Sequence, residues 1–185
     1  MRVIVAGIGL CILTVTSTFA LEKKIDKTRS SLTIHVQKTG LLSAAGHEHT
    51  VTAPVEDGFI DDGDQPRITF RVLSQALRVS PEEHQMQVQS TMQEKVLESS
   101  TYPEIRFASL SIKPVGDGKW LVVGEIALHG KTNTIQINVE KRGEGYSGET
   151  VIKQRDFGIR PVSAAGGTVK VKDELTISFV FVTVE

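Results

Sequence analysis

From Trp120 to Val139 apolar and polar residues alternate with the period of an extended strand, and this alternation is what most constrains the fold. Trp120, Val122, Ile126 and Leu128 share one face. After a turn at Gly130-Lys131-Thr132-Asn133, Ile135, Ile137 and Val139 resume the pattern against Gln136, Asn138 and Glu140. The spacing predicts an antiparallel hairpin whose returning strand has one wet face. The outgoing strand carries Leu121, Val123 and Ala127 on its second face, so it is expected to be covered on both sides. Gly124 in its middle omits a side chain where a bend or a close neighbour needs the room.

The same period recurs along the chain. Leu32, Ile34 and Val36 alternate with Thr33, His35 and Gln37. Phe59 and Ile60 lead through Asp61-Asp62-Gly63-Asp64 into Ile68, Phe70 and Val72, a second hairpin with acids in its turn. Between Ile105/Phe107 and Leu110/Ile112 the apolar phase slips by one, which predicts a bulge near Ala108 or Ser109. Val169 to Phe181 reads as one long closing strand. A single helix is expected after Ser80-Pro81-Glu82-Glu83, with Ser80 as N-cap, Pro81 at the first helical position and Glu83 completing a capping box. Its apolar stripe is Val88, Met92 and Val96 with Leu97 alongside, and Gln85, Gln87, Gln89 and Glu94 are left for solvent. About eight strands, one helix and no βαβ unit imply an antiparallel barrel or sandwich, and a closed barrel of that size can enclose one ligand.

At 185 residues, 39% hydrophobic and 23% charged, the chain suits one domain with a sizeable core. A net charge of −1, with both signs scattered, gives no electrostatic footing for nucleic acid. Residues 1–20 read as a secretory signal: Arg2, an apolar run from Val3 to Leu13, and a cut after Thr18-Phe19-Ala20. That run is short for a bilayer span, so no stable membrane insertion is expected once the signal is removed. The folded domain is then 21–185. Cys11, the one cysteine, lies inside the signal, so the mature chain has neither a disulfide nor a thiol nucleophile.

Several motifs carry little chemistry. Gly143-Glu144-Gly145-Tyr146-Ser147-Gly148 spells a dinucleotide fingerprint but precedes a strand, not a helix that could receive a pyrophosphate. Asp57, Asp61, Asp62 and Asp64 lack the spacing of a calcium loop. No Gly-x-Ser-x-Gly elbow or paired catalytic carboxylates point to a hydrolase, and no enzyme is expected. His47-Glu48-His49 is the sharpest signal: residues two apart on a strand point to the same side and can share a divalent metal, with His35 or His129 as a third ligand. The plainer reading is a pair of exposed or hydrogen-bonded histidines, with no cofactor required.

Four pieces in order carry a resemblance over nearly the whole mature chain. They are Ile25-Asp26 before the first strand; Lys95-Val96-Leu97-Glu98 with Tyr102-Pro103-Glu104-Ile105-Arg106-Phe107; Gly124 to Thr132; and Asp156-Phe157-Gly158-Ile159. With these the sequence resembles the YceI-like family of polyisoprenoid-binding proteins. The resemblance implies an all-β, eight-stranded, lipocalin-like antiparallel barrel with one helix covering or flanking it. It also implies a periplasmic location, no catalytic residues, and an isoprenoid or similar amphipathic lipid held inside. Carried onto the inward faces, the lining candidates are Leu32, Ile34, Phe70, Phe107, Trp120, Val122, Ile126, Ile137, Ile177 and Phe179. Between Val36 and Phe59 the segment departs from the family pattern, which leaves room for a different ligand or a metal. A carrier, a metal-binding envelope protein and a ligand-free scaffold for an envelope or redox partner remain open, as does a homodimer through strand edges.

Overall fold

Period-two stretches become strands in the computed structural model, which describes residues 22–39, 49–80, 85–164 and 169–184. The expected signal at 1–20, His47 and the expected helix start at 81–84 lie outside the described residues. The strands are β1 (Lys23–Lys24), β2 (Ser31–Val36), β3 (Lys38–Thr39), β4 (His49–Thr52), β5 (Val55–Asp61), β6 (Arg67–Leu73) and β7 (Arg78–Ser80). After helix α1 (Gln85–Thr91) come β8 (Glu104–Gly116), β9 (Lys119–Leu128), β10 (Lys131–Arg142), β11 (Gly145–Lys153), β12 (Ser163–Ala164), β13 (Val169–Val171) and β14 (Glu174–Val182).

One antiparallel sheet runs β1-β5-β6-β8-β9-β10-β11-β14-β2-β4-β7, and a small one runs β12-β13-β3. The large sheet closes on itself because β4 and β5 are two halves of one strand bent at Ala53-Pro54. The first half pairs with β2 and the second with β6. Pro54 removes a ladder donor at the corner, and the Ala53 N–H turns to the Leu32 carbonyl at 2.8 Å. In the same way β6 continues into β7 across the turn at Ser74–Ala76. With each bent pair counted as one wall, the ring is β2, β4/β5, β6/β7, β8, β9, β10, β11 and β14, the expected eight-stranded barrel.

The phase slip in β8 is a bulge: the register against β9 jumps between Ser109 and Ser111 and turns Leu110 outward, 61% exposed. The Ile68 N–H donates to the Ser109 hydroxyl at 2.9 Å, which replaces a ladder bond where β6 stops pairing with β8.

Four expectations change. Leu121, Val123 and Ala127 are only half-buried on the outer face of β9, so this strand is not covered on both sides. The hairpin turns at His129-Gly130, not at 130–133. Both residues have positive φ (52° and 73°), as the tight two-residue turn requires, and Lys131 is already paired with Leu128. The closing strand breaks at Lys172-Asp173, so β13 joins the small sheet and β14 the barrel. Gln89 is not left to solvent: its side-chain oxygen accepts from the Val79 N–H at 2.9 Å and its amide donates to the Leu77 carbonyl at 2.7 Å, which fastens α1 to β7.

At the far end of the barrel, Asp62 accepts from the Lys23 ammonium and from the Tyr146 hydroxyl, each at 2.9 Å. These bonds, Lys23 first, hold the Asp62 carboxyl below its usual range. Burial and then the bond to Asp62 push the Tyr146 hydroxyl up to about 12. Its phenol ionises near pH 10 once unfolded, so this contribution is full below about pH 10 and is lost as pH rises toward about 12. Denaturant titrations across that window should show stability falling, with the fall flattened in Tyr146→Phe. Equal slopes in the two proteins would rule out this linkage.

Candidate functional site

Inward residues of all eight walls surround a cavity of about 450 Å³, within the range of small-molecule sites. Its floor is built from glycines and aromatic rings. A Cβ at Gly124 would lie 2.4 Å from the Phe107 ring, and one at Gly148 would lie 2.7 Å from the Phe179 ring, so each missing side chain lets a neighbouring ring lie flat across its strand. The rings then cross the interior. Phe107 stacks on Phe70 at 5.2 Å, Phe70 meets Phe181 edge-on at 5.1 Å, and Phe181 stacks on Phe179 at 4.6 Å.

The roof is α1 and the π turn that extends it, Met92–Val96. Val88, Met92, Val96 and Leu97 all line the cavity, so the apolar stripe read from their spacing faces the barrel. Gln87 is exposed, as expected, and with Thr91 it also borders the cavity.

Nine of the ten sequence candidates line this space: Leu32, Ile34, Phe70, Phe107, Val122, Ile126, Ile137, Ile177 and Phe179. Trp120 does not. It pairs with Val139 and Pro114, nearer the closed end than Val122, and its ring sits 6.0 Å from that of Tyr146.

His35 and His129 do not come together. His35 is exposed on the outer face of β2, with Nε2 3.4 Å from the Ser178 hydroxyl. His129 belongs to the β9–β10 turn, on the opposite wall of the ring. These two therefore cannot share an ion. His47 and the side chain of His49 lie outside the described residues, and among those described no three His, Cys, Asp or Glu side chains come together. A shallower groove on the outer face of β5, β6, β8 and β9 carries Arg71, paired with Asp57 and Glu104, Arg106, paired with Glu104, and Glu125.

His129 has a different place. Its ring packs on Tyr102 at 4.4 Å, Nδ1 is 3.3 Å from the Phe157 carbonyl oxygen, and Nε2 is buried 3.8 Å from the Glu98 carboxylate. Asn133 donates to the Asp156 carbonyl at 3.1 Å, and Phe157 is 1% exposed. Three of the four sequence pieces that carried the resemblance thus meet at one corner, where the end of the roof is fastened to two barrel turns. Glu98 and His129, both with positive φ, are its strained points.

A family model of the YceI-like domain matches residues 16–183. The chain belongs to the YceI-like family. A UPF0312 protein of Pseudomonas putida is 24% identical over 178 residues, covering 88% of this chain and 89% of its own. One from Pseudomonas savastanoi is 31% identical over 93 residues, 45% of this chain, and the match spans about half of that relative's length, 46%. Among solved structures, Burkholderia cenocepacia BcnA superposes with a TM-score of 0.62 at 20% identity, covering 86% of this chain and 99% of BcnA. A polyisoprenoid binding domain from Saccharophagus degradans, implicated in plant cell wall breakdown, gives 0.59 at 16%, covering 86% and 96%. At such identities the two structures establish a shared fold with this YceI-like chain.

Proposed function

We propose that this YceI-like protein is a non-enzymatic carrier, exported by its N-terminal signal to the periplasm, that holds an isoprenoid or similar amphipathic molecule inside its barrel. The observation that carries this reading is the cavity: about 450 Å³, walled by all eight strands, roofed by the apolar stripe of α1 and almost wholly apolar. Burial of a hydrocarbon chain there contributes about 25 cal/mol per Å² of apolar surface before the costs of association, which suits a carrier that needs no fixed polar motif. The polyisoprenoid binding of the Saccharophagus domain supports the choice of ligand class by analogy of fold.

Native mass spectrometry of the protein purified from its own periplasm tests the reading. The expected result is a bound organic mass lost on organic extraction and kept on chelation. A metal mass lost on chelation, and absent when His47 and His49 are replaced, would favour a metal-binding protein instead. An empty protein that also takes up no added prenyl alcohol would overturn the carrier.

A further inference from the structure

The polar side chains that line the cavity divide into two sets. Tyr146, Thr150 and Gln154 are engaged by the protein: the Tyr146 hydroxyl donates to Asp62 at 2.9 Å, the Thr150 hydroxyl to the Gln136 carbonyl at 2.9 Å, and the Gln154 amide to the Lys172 carbonyl at 2.8 Å. Lys38, Gln87 and Thr91 have no side-chain partner among the described residues. All three belong to one end of the barrel. Lys38 lies on β3, just past the end of β2, and Gln87 and Thr91 stand one helical turn apart on α1. α1 is fastened to β7, which pairs with β4, which pairs with β2, so the three share one rim opposite the aromatic floor.

Among the described residues Lys38 is also the one charged residue that lines the cavity, and no described carboxylate lines it. A partly buried lysine beside an apolar space, with no side-chain partner among the described residues, favours an anion. Gln87 and Thr91 add uncharged donors that can bond the same oxygens.

We infer that the occupant is an amphiphile with an anionic oxygen head group, its hydrocarbon chain in the barrel and its carboxylate or phosphate held at the rim by Lys38, with Gln87 and Thr91. This rests on the carrier reading and narrows its ligand class. The head stays at the rim because the floor offers it no free donor: the Tyr146 hydroxyl is already committed to Asp62.

The test uses the purified protein, delipidated by organic extraction and loaded with the neutral apolar fluorophore N-phenyl-1-naphthylamine. Dodecanoate, dodecyl phosphate and dodecanol compete for it at neutral pH. The expected result is that at least one anion displaces the fluorophore about tenfold more tightly than the alcohol of equal chain length. A preference for the carboxylate or for the phosphate identifies the source of the charge. Lys38→Met, which keeps an apolar stem, should bring anion and alcohol to within about twofold without weakening the alcohol, while Lys38→Arg keeps the preference. Equal binding of anions and alcohol to the unaltered protein, or a loss in Lys38→Met shared by all three, overturns this inference and leaves the carrier standing. No displacement by any of the three, together with no binding of the fluorophore, overturns both.

Discussion

With tryptophan in place of Ile177, the protein is expected to keep its fold and lose on the order of a hundredfold in affinity for an apolar ligand. Ile177 lines the cavity from β14, opposite Ile34 of β2 and Thr150 of β11, and is half-buried. An indole there fills space that is empty, so it meets little of the crowding that penalises enlargement in a packed core. What it removes is the room for ligand. Displacing about 100 Å² of buried ligand surface forfeits about 2.5 kcal/mol, or roughly two orders of magnitude in Kd. Fluorophore binding and thermal unfolding, measured on the same samples, check both halves. Ile34→Trp narrows the cavity from the neighbouring wall and should behave alike, which guards against a local fault in one variant. Unchanged affinity in both proteins would place the ligand outside the barrel.

Alternation at Val122, Ile126, Ile137 and Ile177 identifies the inward faces, because the pleat leaves each side chain only two directions. It cannot distinguish a lining residue from a filler, since both are apolar with the same period. Trp120 is the case in point: it shares the phase of Val122 but does not line the cavity, and only the register against Val139 and Pro114 reveals how far along the barrel it lies. Closure was likewise implicit. Pro54 interrupts the ladder after β4, yet the chain continues as β5 on a different neighbour, a tertiary choice that no local preference encodes. A turn placed at 130–133 leaves His129 at the end of the outgoing strand. The turn needs two positive φ values, and it places them at His129 and the glycine after it. The rim is illegible for a further reason: Gln87 and Lys38 are polar, and nothing in the spacing of a polar residue tells whether a cavity opens beside it.

Gly124→Ala supplies the sharpest test of the floor. On strand propensity alone the substitution should help, because alanine restricts the unfolded chain and can gain about 0.4–1 kcal/mol where the native backbone accepts it. Here the added Cβ would lie 2.4 Å and 2.6 Å from two carbons of the Phe107 ring and 2.7 Å from the Ala108 carbonyl oxygen. The ring can swing away, but it is stacked on Phe70, and the carbonyl belongs to the bulged part of β8, so both neighbours resist. The expected outcome is a net loss of about 2 kcal/mol in chemical denaturation, within the usual range for overpacking a core. Phe107→Leu removes the ring and costs stability of its own, yet in that background Gly124→Ala should cost less than half as much, a coupling of about 1 kcal/mol between touching residues. Additive losses would assign the strain to the Ala108 carbonyl alone, and a stabilised Gly124→Ala would mean that the ring does not lie across β9. The cavity responds in parallel. A ring displaced from Gly124 moves into the space above the floor, so fluorophore affinity should fall in Gly124→Ala and recover in the double variant, where the smaller leucine restores the room.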